Sequence, residues 1–571
     1  MKGFISLIVK STRIVSTNKK FYWLYRILIS VLHFWRRITK TGQHRRRFPI
    51  HYLTHKNIIG TPVFVCGRYS IYAQYYTHGS VISPGNDEQM SSVKTELFYC
   101  NGVLHSKEYE EFESDVLLPI SIVNDNRKSL VKARETSEIE IIRNKKNFKL
   151  KQLRDNTFYH IRFSKGDRVS IHSKEKVLCG KPLKLTKGDK KLVLVLFLDA
   201  LGANIINLNN IENIIPNTFN FFKKGYINLN CYSNAEYTIP SLSSMSTGRY
   251  VYKNNFFHPN SYKEIGGKNK IISEYFQESG YFTQLISNNT GQNPSYGYCK
   301  GFDRTIYGVK MKQEEVVSEF IDSMRVFGDR KVFSWLTFID IHHKYNDVAR
   351  FSAGADMSLE AHADNKLHVQ KTVSMKNSEH FTEWYFNEIK RFDYHLKFLY
   401  DYIEENYKNN EILVSLVSDH AQSFVDKGES VMRRDKLNVP FMLRGKGVVK
   451  KQDSHIMENV DILPILLDKC GINYESSKVD GNSPVCLGGR GKEYVFSESI
   501  YPGRTYKAVI RNKHEECFIE STNLVNHKNG VDEHNRKKLK FKVVNQQSTE
   551  AKSDILEKYK KMYKENFSRK K

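Results

Sequence analysis

The chain has 571 residues and a formal net charge of +27, from 89 Lys and Arg against 62 Asp and Glu. This length exceeds one ordinary hydrophobic core, so we expect at least two domains, and the charge suits a nucleic acid, an anionic membrane surface or an anionic substrate. A solvated lysine-rich surface explains the charge equally well. The eight cysteines form no CxxC pair, which argues against a zinc ribbon, and suggest no disulfide framework, which favours a reducing compartment.

Residues 1–50 carry twelve Lys or Arg and no acidic residue. The apolar stretch 21–35 within them is too short and too interrupted for a transmembrane helix, and no cleavage site of a secretory signal follows it. We expect either a basic amphipathic segment on an anionic membrane surface or a helix packed on the protein's own body. The lack of a convincing signal peptide favours a cytoplasmic location at the membrane periphery.

Residues 51–185 contain short runs of β-forming residues between Gly, Asn, Asp and Lys turns, which predicts a β-rich accessory domain. The runs 158–163 and 168–172 are expected to pair around a turn at 165–167. A scaffold is the expected role of this domain, with glycan binding as the alternative. At the other end of the chain, residues 546–571 are expected to form a basic helix or tail.

From residue 186 to residue 545 strands and helices alternate, which predicts a mostly parallel sheet with helices on both faces. The expected fold class is therefore α/β, with a catalytic domain at 186–545. Four strands are expected at 192–198, 280–287, 331–339 and 411–418, and a long helix at 381–406. The segment 345–380 shows no period, and a loop of that length beside a strand end often shapes substrate entry.

Three of these strands end in residues that can bind a metal ion. Asp199 follows the first strand, Asp340 and His342 follow the third, and Asp419 and His420 follow the fourth. One such residue alone is usually a helix cap or a satisfied polar group, but three sets in one sheet are hard to explain as structure. Carboxylates and imidazoles suit Zn²⁺ or Mn²⁺, with Ca²⁺ or Mg²⁺ as alternatives.

A short helix is expected after residue 237, because Pro240 suits a first turn and Gly248 suits a C-terminal stop. Thr238 then lies at a helix N-terminus, where free N–H groups favour an anion. A hydroxyl beside a metal ion and an anion site is a typical arrangement for a nucleophile.

The residues around Thr238 keep the spacing of a known signature. The matching positions are Thr238, Pro240, Ser241, Thr247 and Gly248. Residues 215–219 with Gly225 look like a "TPN…G" segment, and residues 418–421 look like an "SDHG" motif. Over roughly 190–545 the chain thereby resembles the alkaline phosphatase and sulfatase superfamily.

The resemblance implies roles for the polar residues. Asp199, Thr238, Asp419 and His420 would hold one metal ion, and the Thr238 hydroxyl would be the nucleophile. His342, in a segment that looks like the family's "DPH" motif, would contact the transferring group or protonate the leaving oxygen. The expected substrate-binding residues are Asn288, Asn289 and Asp340.

The departures from the family pattern bear on the reaction. A sulfatase needs Cys or Ser at the position of Thr238, because that residue is oxidised to formylglycine. The signature Arg is replaced by Leu242, the second Asp after the first strand by Ala200, and the pocket Lys-x-His by Asn288-Asn289. The site pattern therefore resembles the family's phosphodiesterases and its phosphoethanolamine or glycerol-phosphate transferases.

The expected function is a metal-dependent hydrolase or transferase that acts on a phosphodiester. An atypical sulfatase and a non-catalytic binding protein on the same fold remain the alternatives. The basic N-terminus and the accessory domain favour a lipid- or glycan-linked substrate. No nucleic-acid-binding module is recognisable, so no specific nucleic acid is expected.

Overall fold

In the computed structural model, the described parts of the chain are residues 63–67, 95–123, 137–153, 158–185, 189–254, 256–257, 265, 269–292, 297–308, 311–342, 379–425, 430–525, 539–545 and 552–567. The expectations for residues 1–50 and for the segment 345–380 fall almost wholly outside these ranges. The chain divides into two compact units, Met1–Lys184 with Gly308–Lys310 and Leu185–Tyr307 with Met311–Lys571. The division into four segments expected from the sequence stays a prediction.

The first unit is built from antiparallel strands, as its β-forming runs predict. In chain order they are β1 (Val63–Gly67), β2 (Thr95–Tyr109), β3 (Val116–Val123), β4 (Ser137–Arg143), β5 (Lys146–Leu153), β6 (Tyr159–Phe163), β7 (Val169–Gly180) and β8 (Leu183–Lys184). Alternate apolar residues of these strands, among them Leu118, Ile120 and Ile171, form a buried cluster. Burial of this face stabilises the sheet by the hydrophobic effect.

The pairing expected between the runs 158–163 and 168–172 is wrong. Strand β6 pairs with β3, and β7 pairs with β2, β3 and β4. The turn between them is fixed by hydrogen bonds to residues distant in sequence. Gly166 donates its N–H to Phe112 O, and the Asp167 carboxylate accepts from Asn144 Nδ2 at 2.7 Å. These contacts with distant residues override the local hairpin pattern.

The second unit has a mostly parallel sheet, which confirms the expected α/β class. Its strands are β9 (Lys191–Leu198), β10 (Tyr226–Tyr232), β11 (Phe282–Ser287), β12 (Arg304–Tyr307), β13 (Lys331–Phe338), β14 (Ile412–Ser418), β15 (Asn438–Gly445), β16 (Lys451–Asp453) and β17 (Met457–Glu458). The order β12-β11-β13-β9-β14 is parallel throughout, and β15 then joins β14 and β10 antiparallel. Strand β9 is central, which explains its unbroken apolar run.

Ten α-helices of the second unit have described bounds. They are α1 (Ile211–Ile214), α2 (Pro216–Phe222), α3 (Thr238–Thr247), α4 (Val251–Asn254), α5 (Ile272–Glu278), α6 (Gln313–Phe327), α7 (Glu379–Asn406), α8 (Arg434–Leu437), α9 (Ile462–Cys470) and α10 (Lys552–Met562). The strands and helices expected from the sequence are confirmed to within a few residues. Among the described residues, no helix combines the length and apolar character needed to cross a bilayer.

A second, antiparallel sheet closes this unit with strands β18 (Val495–Ser499), β19 (Thr505–Arg511), β20 (Glu515–Leu524) and β21 (Leu539–Asn545). Helix α10 packs on it, and its residues Ile555 and Tyr559 are fully buried in the same apolar cluster as Phe496. Lys558 and Lys561 of this helix are exposed, as expected for the outer face of an amphipathic helix.

Gly225, of the "TPN…G" segment, has a packing reason. It precedes β10, where a Cβ atom would lie 2.3 Å from Leu443 O and 2.9 Å from the Arg444 Cα. Only glycine lets the chain enter β10 this close to β15.

Candidate active site

Thr238 is the first residue of α3, as expected. The helix begins after the extended Tyr237 and ends at Gly248, whose positive φ of 64° lets its N–H bond to Ser244 O at 2.8 Å. The Thr238 hydroxyl lies 3.4 Å from Asp199 Oδ2 and 3.4 Å from His420 Nε2. A half-buried hydroxyl at a helix N-terminus is thus in contact with a carboxylate and an imidazole.

The carboxylates of Asp199 and Asp419 meet there because β9 and β14 are parallel neighbours. Ser418 pairs with Leu198 in register, so the next residue of each strand lies at the same edge of the sheet. His420 Nε2 is 3.8 Å from Asp199 Oδ1 and 3.3 Å from Asp419 Oδ2. The structure therefore brings together all four residues that the resemblance assigns to the metal ion.

The imidazole of His420 is fixed by its other nitrogen. Nδ1 lies 3.1 Å from Ala421 O, and a carbonyl only accepts, so Nδ1 carries the proton. The unprotonated Nε2 then faces Asp199 and Thr238 with its lone pair. A hydrogen bond of this kind fixes the ring orientation of histidines that bind metal ions.

The donor set fits a divalent cation. Oδ2 of Asp419 is buried and has no hydrogen-bond partner among the described residues, while Oδ1 accepts from the N–H groups of Ala200 and His420, both at 2.9 Å. Burial and the charge of Asp199 both raise the pKa of Asp419 well above its usual range. Two buried carboxylates this close are costly unless a cation joins them.

His342 is also close enough to bind. A ring nitrogen of His342, a ring nitrogen of His420 and a carboxylate oxygen of Asp199 all lie within 4.8 Å of one another. The centroids of the His342 and His420 rings are 6.0 Å apart. The half-buried His342 can therefore serve as a further ligand or, as the sequence suggests, face the transferring group. Its role at the leaving oxygen stays a prediction.

The two asparagines have different environments, although both are buried. Asn289 Nδ2 donates to Asp199 Oδ2 at 2.6 Å. Asn288 instead bridges strand ends, since it donates to Asp340 Oδ2 at 2.8 Å and accepts from the Ile339 N–H at 2.9 Å. Of the two, Asn289 is the residue in contact with the candidate metal ligands.

Asp340 is engaged at both oxygens. Besides Asn288, it accepts from the N–H of Gln313, the first residue of α6, at 3.1 Å. This places Asp340 as the carboxylate at a helix N-terminus. Its assignment to substrate binding, and those of Asn288 and Asn289, stay predictions.

Sequence reasoning missed three residues that shape this site. Tyr385 of α7 holds the turn after β9, because its hydroxyl donates to Ala200 O and accepts from the Gly202 N–H at 3.1 Å. Gly291 leaves room for the nucleophile, since a Cβ atom there would lie 2.8 Å from Thr238 Cγ2. Both come from segments without a family motif, so only a three-dimensional contact could reveal them.

The third missed residue is Lys436, a lysine with 1% of its surface exposed. Its ammonium group donates to Ala421 O, the same carbonyl that accepts from His420 Nδ1, and its own carbonyl accepts from the Ala421 N–H at 2.9 Å. Lys436 thus fixes the peptide that orients His420. Its burial and its contact with Ala421 depend on the tertiary structure, so no sequence motif marks it.

We expect the Lys436→Met substitution to change the pH dependence of stability in metal-free protein. Burial lowers the pKa of Lys436 to about 8 in the folded protein. Between pH 8 and the ordinary pKa of lysine, Lys436 therefore holds its proton in the unfolded chain but not in the folded one. The free energy of unfolding of the wild type should therefore rise with pH above 8, relative to the variant, by up to about 1.4 kcal/mol per pH unit. Urea unfolding from pH 7 to pH 10 measures this difference, and a constant difference would contradict it.

The comparisons with known proteins come from a family model and from solved structures. Residues 191–472 match the family model of the sulfatases. No curated protein matches the sequence. A phosphonate monoester hydrolase from Silicibacter pomeroyi is structurally similar, with a TM-score of 0.50 and 14% identity over 65% of this chain and 94% of that one.

Two further structures are similar at lower scores. A 2-O GAG sulfatase has a TM-score of 0.48 at 14% identity, over 66% of this chain and 91% of its own. A protein of the alkaline phosphatase superfamily from Vibrio parahaemolyticus has a TM-score of 0.44 at 16% identity, over 68% and 90%. The family match shows that residues 191–472 form a sulfatase-family domain, which supports the resemblance to the alkaline phosphatase and sulfatase superfamily.

Proposed function

We propose that this protein cleaves or transfers a phosphodiester with Thr238 as its nucleophile. The observation that carries the proposal is the position of the Thr238 hydroxyl, 3.4 Å from Asp199 Oδ2 and from His420 Nε2 at the start of α3. Threonine cannot be oxidised to the formylglycine of a sulfatase, but its hydroxyl can attack phosphorus directly. The fold is compatible with this chemistry, since one structural relative is a phosphonate monoester hydrolase.

The chain's own residues have separate tasks in this proposal. Asp199, Asp419 and His420 would hold the cation together with the Thr238 hydroxyl, and His342 would face the transferring group. A bound divalent cation would lower the pKa of a coordinated hydroxyl and neutralise charge on the phosphoryl oxygens. Zn²⁺ or Mn²⁺ suits the mixture of carboxylate and imidazole ligands best.

The reaction would run as a double displacement. Thr238 Oγ1, whose proton would pass to solvent, would form a bond to phosphorus while the bond to the leaving alkoxide breaks, and His342 would give that oxygen a proton. The free N–H groups at the start of α3 and the Asn289 amide stabilise the phosphoryl oxygens. Water or an acceptor hydroxyl then displaces Thr238, so hydrolysis and transfer share the first half.

The phosphodiester substrate is proposed to be attached to a lipid or a glycan. The twelve basic residues of segment 1–50 would draw the enzyme to an anionic membrane surface, where lipid- or glycan-linked phosphodiesters are available. This part of the proposal rests on the sequence, because that segment lies outside the described residues.

The test is metal analysis of the purified protein, paired with turnover of bis-p-nitrophenyl phosphate and p-nitrophenyl sulfate. We expect bound Zn²⁺ or Mn²⁺ and cleavage of the phosphodiester at least about 100-fold faster than cleavage of the sulfate, a difference of about 2.7 kcal/mol in barrier. Comparable rates on the two substrates would support an atypical sulfatase. Absence of both metal and turnover would favour a binding protein on this fold.

A further inference from the structure

The second unit has a cavity at the end of its sheet opposite the candidate active site. Its volume is about 240 Å³, and its floor is formed by the first residues of the central strands, among them Leu192 and Ile412, and by Ile472 after α9. Asp199 and Asp419 lie at the other ends of the same strands, roughly 25 Å away over eight residues. A molecule in this cavity therefore cannot touch the group that reacts at Thr238.

Four lysines line the cavity, and they come from four separate segments. They are Lys191, Lys331, Lys446 and Lys469. Lys191 and Lys331 are directly opposite each other in the β9–β13 register, an arrangement that is unfavourable for like charges. These lysines are far apart in sequence but line one concave surface. They are therefore not a run of charges along a solvated helix.

Two carboxylates compensate part of this charge. Asp189 lies 2.5 Å from Lys191 Nζ and 2.9 Å from Lys331 Nζ, and Glu411 is also in the lining. Lys469 Nζ donates to Gly447 O at 2.8 Å, and neither it nor Lys446 has an ion pair with any described residue. The four lysines therefore exceed the two carboxylates by two positive charges, and Lys446 and Lys469 are the two lysines without an ion pair among the described residues.

The rest of the lining combines aliphatic and aromatic residues with the polar Ser279 and Asn410. The Tyr281 ring and the Cys470 thiol stand beside the lysines. The volume exceeds what one phosphate group needs, so the cavity can also hold an attached apolar or aromatic portion.

We propose that this cavity is a second binding site, which takes a small organic phosphate as a dianion. Its phosphoryl group would lie between Lys446 and Lys469, which are the lysines without a carboxylate partner. Its apolar portion would rest on the floor near Tyr281. Binding at this site does not depend on the proposed reaction at Thr238.

Cys470 offers a local measurement of occupancy, because it is one of the residues that line the cavity. The full-length protein is treated with N-ethylmaleimide, and labelling of each cysteine is followed by peptide mass spectrometry with and without inorganic phosphate or phenylphosphonate, which has no cleavable ester. We expect phenylphosphonate to slow labelling of Cys470 at least about threefold at saturation, at lower concentration than inorganic phosphate. Labelling of Cys486, which does not line the cavity, should keep its rate.

Variants separate the cavity from the candidate active site. Protection of Cys470 should be lost in the Lys446→Met/Lys469→Met double variant and in Lys446→Glu. It should persist in Lys513→Met, an exposed lysine outside the cavity, and in Thr238→Ala.

Several outcomes would overturn the proposal. No protection by either anion in the wild type would do so, and so would equal protection in the lysine variants. Protection by inorganic phosphate alone would support an anion site but overturn the assignment of an organic ligand.

Discussion

Replacement of Thr238 by Ala should lower turnover of bis-p-nitrophenyl phosphate by about 10⁴-fold or more, the scale of loss seen when a nucleophile is removed. The covalent half of the reaction requires an oxygen at this position. Three of the four candidate ligands, Asp199, Asp419 and His420, remain in the variant, so most of the bound metal should be retained. Steady-state kinetics and metal analysis on the same samples measure the two quantities.

Two further variants make this result specific. Thr238→Ser retains the hydroxyl and should recover most of the activity. Ser244→Ala removes a buried hydroxyl of the same helix that has no hydrogen-bond partner among the described residues, so it should leave turnover unchanged. If Thr238→Ala kept a tenth of wild-type turnover, the nucleophile would have to be another group.

The Asp419→Asn substitution should weaken metal binding at least about 100-fold, which corresponds to about 2.7 kcal/mol. Asparagine has the same shape, so its Oδ1 can still accept from the N–H groups of Ala200 and His420. What is lost is the negative charge at Oδ2. Isothermal titration with Zn²⁺ or Mn²⁺ measures the change in affinity, and turnover should fall with it.

The same variant should be more stable than the wild type once both are metal-free. The asparagine removes one of two adjacent buried charges, and its Nδ2 can donate toward Asp199. Because burial and Asp199 raise the pKa of Asp419, the folded wild type binds an extra proton and loses stability as pH rises past the ordinary carboxyl range. The advantage of the variant should therefore grow with pH.

Thermal unfolding with a chelator, and again with metal, tests this reversal. Asp322→Asn on α6 is the matched control, since that carboxylate is 68% exposed and should change neither metal affinity nor stability measurably. An Asp419→Asn variant that binds metal as tightly as the wild type would remove Asp419 from the ligand set.

Local patterns predicted the elements of the second unit well. Strand β9 is marked by its apolar run, and α3 by Pro240 and Gly248. These signals involve residues adjacent in the chain, so they can be recognised from the sequence alone. The strand pairing in the first unit was not, because the turn at 165–167 bonds to Phe112 and Asn144, far away in sequence. A hairpin signal carries no information about such contacts.

Contacts between distant residues also decided how the site is assembled. Asn288 and Asn289 are neighbours in the chain, and only their side-chain directions show that Asn289 contacts Asp199. Tyr385 reaches Gly202 across 183 positions of sequence, and no motif marks it. The lysine cavity is likewise formed by contacts between distant residues, since its lining comes from separate strands and loops.

The sequence by itself determined that acids and imidazoles collect near a threonine, because parallel strands end at one edge of a sheet and a Pro–Gly-bounded helix starts beside it. The tertiary structure alone decided which atoms face one another. It set the proton of His420 on Nδ1 through Ala421 O, and it buried Lys436 on the same carbonyl. Side-chain direction and burial depend on packing between segments far apart in the chain, and that packing exists only once the sheet has formed.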